Sequence, residues 1–354
     1  MLFGYPVEAT QENWLHDCLC EIVLSVHGCI ENGKKYPNWP GIVPAAHREQ
    51  LKSRTGLRDR VAAYFTAASS LGSAERATIA KVMADQNNIA DLLSCVCDCL
   101  TVDDLPEAVR KPVCSLFGFG FNLLSAFGIR DRQYELIYVE IKSQVCPFCG
   151  CEYFDSPKGK REALDHYLDE ARYPFAASNL RNLAPMGNKC NSRYKLTADI
   201  LHGVGGIRRS AFDPYHAAVL QVSLDESLIN QHVDGHLVAD WIVKFSIETE
   251  ETETWDEVFS IRDRYKRDFL EACSFNELLW DFRNWCVAVA PHIAGDNDVL
   301  DAMVRYEQYH SLCGFSDRSF LKAAVFRLLL ARCKDGCERV WGVMRDLVNI
   351  PQPA

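Results

Sequence analysis

No stretch of the 354 residues is apolar for the roughly 18–20 positions a bilayer-spanning helix needs. The best candidates, 323–331 and 286–294, are broken by Arg327 and by Pro291-His292. The opening Met1-Leu2-Phe3-Gly4-Tyr5-Pro6 has no basic cluster and reaches Glu8 early, so it does not read as a secretory leader. A cytoplasmic protein with no membrane partner is expected. No GxxxxGK[ST] loop is present, so a nucleotide-driven step would need another protein. There is no internal repeat and no low-complexity tract. With 48% hydrophobic and 24% charged residues the chain reads as globular, long enough for more than one structural unit.

Positive charge is also scarce. Lysine and arginine number 38 against 48 acidic residues, a net of −10, which argues against a general nucleic-acid binder. The deficit is uneven, however. Residues 141–210 carry 11 basic against seven acidic side chains, and the remainder carries 27 against 41. Duplex binding rests on phosphate neutralisation, so contact is expected in that one basic segment. Cysteine is not scarce, at 16 residues. Without a leader these read as reduced thiols. Cys95/Cys99 and Cys333/Cys337, four apart in helical patterns, read as small apolar groups on a helix face.

The first 130 residues read as helical. Thr10 precedes the stripe Trp14, Cys18, Ile22 and Val23, ending near Gly33. Further helices are expected over 44–68, from Ser73, over 89–100, and after Asp103-Asp104 to Phe127, with Gly118-Phe119-Gly120 as an interruption. At 136–141, Leu-Ile-Tyr-Val-Glu-Ile reads as a strand. A tight turn at 146–150, a return strand at 152–154, a strand at 163–168 and a helix over 188–201 follow. From Phe212 the chain reads as helical, with helices over 229–245, 262–273, 275–289 and 320–348, and a frayed end at 351–354. The acidic run 248–257 reads as a solvated loop or helix end. His232 and His236 have metal-competent i, i+4 spacing, but no HExxH accompanies them and a surface or core pair is the expectation.

One constellation carries chemistry. Cys146-x-x-Cys149-Gly150 is followed by Asp165-His166, then Asn182-Leu183-Ala184-Pro185, then Cys190-Asn191. A neutral histidine can take a proton from water at pH 7. Aspartate and asparagine oxygens suit Mg²⁺ or Mn²⁺, which can stabilise the oxygens of a phosphoryl transition state.

In this order and spacing the motif resembles the HNH endonuclease family, in its Asp-His…Asn…Asn variant with a CxxC knuckle. The resemblance covers about 60 residues. It implies a mainly α protein with a small α+β core, a ββα-metal, treble-clef-like finger, between helical regions. The corresponding divisions are 1–133, 134–205 and 206–354. It implies hydrolysis of phosphodiester bonds, most plausibly in double-stranded DNA, with RNA also open. His166 would be the general base and Asn182 would tie down the loop that positions it. Asp165 and Asn191 would hold the catalytic Mg²⁺ or Mn²⁺, with a strand-end twist bringing Asp165 and His166 to one site. Lys189, Arg193 and Lys195 would hold phosphates. Structural zinc on Cys146, Cys149 and Cys190 would be one ligand short, because Gly187 stands where relatives carry a fourth cysteine. Cys151, a distant ligand, or no zinc at all are the alternatives. The resemblance also suggests an effector of bacterial anti-phage defence working beside an ATPase or sensor protein, since the acidic flanks repel DNA. A non-catalytic zinc-knuckle interaction module is the competing class.

Overall fold

The computed structural model describes residues 1–159, 162, 164–231, 237–289 and 292–348; His232, His236 and residues 351–354 lie outside these. The described chain is mainly helical with small antiparallel sheets.

Helix α1, Trp14–Glu31, buries Leu15, Cys18, Leu19, Ile22, Val23 and Val26 along one stripe. It stops at Asn32-Gly33, where Gly33 takes the left-handed φ of +64°. The next stretch is divided. Helix α2, Arg48–Leu51, ends before Lys52–Arg54, and α3 spans Thr55–Ser69. Helices α4 (Ser73–Asn87) and α5 (Ile89–Leu93) follow, then α6 (Glu107–Ala126) and α7 (Ile129–Glu140).

Gly118-Phe119-Gly120 does not interrupt α6. A Cβ on Gly120 would lie 2.3 Å from Leu19 Cδ1 and 3.4 Å from Ser178 Cβ. The missing side chain lets α6 close on α1 and on the loop around Ser178. The expected strand at 136–141 is instead the end of α7, because burial of Ile129, Gln133 and Ile137 at four-residue spacing overrides local β propensity. The cysteine pairs do not share helix faces. Helix α5 stops before Cys95, which takes φ +58°, and Gly336, at φ +76°, separates Cys333 from Cys337.

In the middle of the chain, β1 (Leu164–His166) pairs antiparallel with β2 (Leu183–Pro185), and a helical turn runs over 188–195. It ends at Leu196, with φ +47°, short of the expected Leu201. The expected return strand at 152–154 is reduced to a single bridge, Val145 to Tyr153.

The expected helix over 229–245 is a correction. Strands β3 (Val222–Ser223) and β6 (Lys244–Phe245) pair, as do β4 (Leu228–Gln231) and β5 (Leu237–Asp240). Branched residues such as Val222, Ile229 and Val238 favour strands here. Then come α8 (Glu250–Phe259), α9 (Ile261–Tyr265), a wide turn Lys266–Leu270 and α10 (Ala272–Val289). Helices α11 (Asp296–Cys313), α12 (Ser319–Lys334) and α13 (Glu338–Leu347) complete the fold. The acidic run therefore belongs largely to α8, and Arg262 holds Glu248, Glu253 and Asp256.

Two apolar cores do not follow chain order. One joins α1, α3, α4 and α6 to Leu164, Phe175, Leu180 and Leu183. The other joins the first nine residues and 89–99 to the cysteine knuckle and the C-terminal helices. The β1–β2 hairpin thus sits between the cores, its inner face set by α6. Among the described residues no single helix is long and apolar enough to cross a membrane.

Three buried histidines set an acid limit. His16, His27 and His310 have hydroxyl partners (Ser178, Tyr64 and Ser319), and burial pushes each pKa down to about 4. The unfolded chain takes up these protons near pH 6.5, before the folded chain does. Their stabilising contribution is therefore complete above about pH 6.5 and is lost progressively as pH falls toward 4. Urea unfolding between pH 7 and pH 5 should show falling stability. His27→Gln should flatten that slope by at most about 1.4 kcal/mol per pH unit. An unchanged slope contradicts the assignment.

Candidate active site and thiol centre

The hairpin places Asp165 opposite Ala184 and His166 opposite Leu183. The loop between the strands is held by Asn182, whose side chain is fully buried. Its Oδ1 accepts from Leu168 N at 2.7 Å, and its Nδ2 donates to Leu168 O at 3.0 Å and Ala176 O at 3.3 Å. Helical side chains brace the same loop: Asn13 Oδ1 accepts from Leu180 N, and Gln86 Oε1 from Phe175 N, each at 3.0 Å.

The braced loop presents Ala177 O to His166 Nε2 at 2.8 Å. A carbonyl can only accept, so Nε2 carries the proton and the neutral ring leaves its lone pair on Nδ1. The ring packs 4.3 Å from that of Phe121 on α6. Burial lowers the His166 pKa below the ordinary histidine value, while Glu170 Oε2, 3.5 Å from Nε2, opposes that shift. The imidazole is therefore neutral at pH 7.

Leu164 and His166 are buried and Asp165 between them is not, so strand alternation continues through the motif. Asp165 and Lys195 both lie near enough to His166 to act on its charge. Asp165 Oδ2 lies 3.1 Å from Lys195 Nζ but accepts no hydrogen bond. Lys195 corrects another expectation: at 2% exposed it pairs inward with Asp165 and does not reach outward for phosphate. Asn191, four residues earlier on the same turn, is half-buried, and its side-chain amide makes no hydrogen bond among the described residues. A buried, unbonded carboxylate oxygen and a free amide oxygen fit a hard divalent cation. Lys195 supplies the positive charge beside Asp165. Lys189 and Arg193 are exposed on the outer side of the turn.

The thiols form a second centre. The knuckle folds through Cys149 N and Gly150 N donating to Cys146 O, with Gly150 at φ +65°. The sulfurs of Cys146, Cys149 and Cys190 are buried and lie within 4.8 Å of one another, a group that can hold a metal ion. Hydrogen bonds from neighbouring thiols hold the Cys149 pKa well below the usual thiol range. Arg264 Nη1 donates to Cys190 Sγ at 3.3 Å.

The missing fourth cysteine has a structural counterpart. A Cβ on Gly187 would lie 2.3 Å from Glu152 Oε2, so that carboxylate fills the space a side chain at 187 would need. Glu152 accepts from Lys189 N at 3.0 Å and approaches Cys149 Sγ at 4.0 Å. Cys151 is half-buried beside it. Sequence reasoning missed Glu152, Glu170, the Ala177 carbonyl and Arg264. Glu170 is four residues past His166 and was open to notice. Arg264, 74 positions from Cys190, left no local signal.

No family model matches the chain, and no curated protein or solved structure shows significant similarity to it.

The thiol geometry predicts about one thiophilic metal ion per purified chain by elemental analysis, and zinc is the one the resemblance implies. Cys146→Ser should release it and lower Tm by several degrees. Glu152→Gln should weaken zinc retention against a chelator more than Cys151→Ser if the carboxylate is the fourth ligand; the reverse order assigns Cys151. Metal-free protein of unchanged Tm removes the site.

Proposed function

We propose that the chain is a metal-dependent endonuclease hydrolysing phosphodiester bonds of nucleic acid, with double-stranded DNA as the primary substrate and His166 as general base. The observation that carries this reading is a neutral imidazole oriented by Ala177 O beside a buried carboxylate oxygen without a hydrogen bond. His166 Nδ1 takes a proton from water as the water oxygen attacks phosphorus. The bond from phosphorus to the departing sugar oxygen breaks, and that oxygen takes a proton from solvent water on release. In-line displacement puts attacking and leaving oxygens on opposite sides of phosphorus.

Asp165 and Asn191 would hold Mg²⁺ or Mn²⁺, which when bound supplies charge stabilisation to the departing oxygen. Lys195 must yield its hold on Asp165 for this. Until then it balances the carboxylate in a largely buried setting. The basic stretch 141–210 supports contact with phosphates, and acidic flanks favour a partner that presents the substrate. Such a partner is the place for a sensor or ATPase of the anti-phage kind.

The Lys195–Asp165 pair favours a second reading, a non-catalytic zinc-knuckle interaction module, because an internal cation completes the site's charge without metal. Plasmid cleavage with Mg²⁺, Mn²⁺ or EDTA separates the two. The nuclease reading expects cation-dependent cutting, reduced at least about 100-fold in His166→Ala and lost in Asp165→Ala. The scaffold reading expects no cutting with any cation.

The base also predicts a pH profile. Activity requires unprotonated His166, so it should fall as pH drops through a folded pKa that burial has lowered. Glu170→Gln removes the carboxylate that favours the imidazolium and should move this acidic limb lower still. A shift upward contradicts the role given to Glu170.

A further inference from the structure

We propose that a cleft of about 410 Å³ beside the thiol centre binds a compact oligophosphate, such as the phosphate chain of a nucleoside polyphosphate. The inference does not depend on the nuclease reading. Four segments converge on the cleft: the knuckle, the helical turn 188–195, the stretch from α9 into the turn Lys266–Leu270, and the segment before α12.

These segments bring five cations together: Lys189, Arg193, Arg264, Arg267 and Arg318. Only two acidic side chains line the same space, and both are engaged. Glu152 accepts from Lys189 N and Cys190 N, and Asp268 pairs with Arg267. The side chains of Lys189, Arg193 and Arg318 make no ion pair or hydrogen bond among the described residues. Arg264 is 5% exposed and has no carboxylate partner. It is held by Cys190 Sγ and by the Tyr194 ring, 4.4 Å beneath its guanidinium.

Cations therefore outnumber carboxylates by three among the side chains lining the recess, in a chain whose net charge is −10. Like charges gathered in a concavity repel, and the low-dielectric walls focus their field on an anion that enters. Guanidinium groups converging from separate elements match the several oxygens of linked phosphates. The shape favours a compact anion over a duplex, because a duplex is a convex rod and the cleft is a recess enclosed by four chain segments.

The cleft is also distinct from the candidate cation site. Lys189 and Arg193 are four apart on the turn, and Asn191 and Lys195 are four apart at an offset of two, which turns them to another side. Lys195 points inward to Asp165, whereas Lys189 and Arg193 line the cleft.

The test is calorimetric titration of the full chain, as purified, with sodium tripolyphosphate, ATP and inorganic phosphate, in buffer of physiological salt without added divalent cations. Tripolyphosphate should bind, inorganic phosphate should bind at least about tenfold more weakly, and ATP should bind as tightly as tripolyphosphate or tighter. Arg267→Gln and Arg318→Gln, both at exposed positions, should each weaken tripolyphosphate binding about tenfold while leaving the ligand-free Tm unchanged. Absence of binding at about 1 mM tripolyphosphate, or wild-type affinity in the double variant, overturns the proposal. It is equally overturned if a short duplex loses affinity in the double variant while tripolyphosphate never binds, since the arginines would then serve nucleic acid.

Discussion

The amide of Asn182 is sealed from water, and its bonds to Leu168 and Ala176 bind the start and the middle of one loop to the root of β2. Leaving a buried partner of such a bond unsatisfied costs about 1–3 kcal/mol, so the loop has little freedom to open there. That constraint passes directly to the chemistry. Ala177 follows Ala176, and its carbonyl decides which imidazole nitrogen of His166 carries the proton. Gly120 on α6 contributes from the other side: the absence of its side chain lets Ser178 and Leu19 close behind the loop. The imidazole of His166 is thus oriented by a buried amide, a backbone carbonyl and a helix packed at a glycine.

A second economy of design is the eight-residue turn 188–195, which serves three neighbourhoods. Cys190 faces the thiols of the knuckle, Lys195 pairs with Asp165, and Lys189 and Arg193 line the basic cleft. Adjacent residues on so short a helix diverge in direction, so one turn can link a candidate metal-holding group, a carboxylate and an anion-attracting recess. Arg264 joins two of these, since it donates to Cys190 and lines the cleft. Movement of the turn would be felt at all three.

The N-terminal helices were legible because their apolar stripes repeat at helical spacing and end at punctuating residues such as Gly33. Among the motif residues, the loop-tying bonds of Asn182 were legible because they follow from its amide chemistry. Propensity misled at 136–141, where β-branched residues lie on a helix whose buried face decides the matter. It misled in the opposite sense at 229–245, where a pattern read as helical forms strand pairs. Nothing local in the sequence reports that Lys195 turns inward to Asp165, that Glu152 fills the space beside Gly187, or that Arg264 and Arg318 reach the knuckle. Those contacts arise from tertiary packing between distant segments.

The proposed chemistry requires a neutral His166 with its proton on Nε2 and its lone pair on Nδ1. Nitrogen-15 spectra of histidine-labelled protein, assigned through His166→Gln and followed from pH 7.5 to pH 5, report tautomer and pKa together. The predicted result is the Nε2-protonated tautomer at neutral pH, with protonation of Nδ1 only below the ordinary histidine range. A proton on Nδ1 at pH 7.5, or an imidazolium persisting above pH 7, would contradict the account.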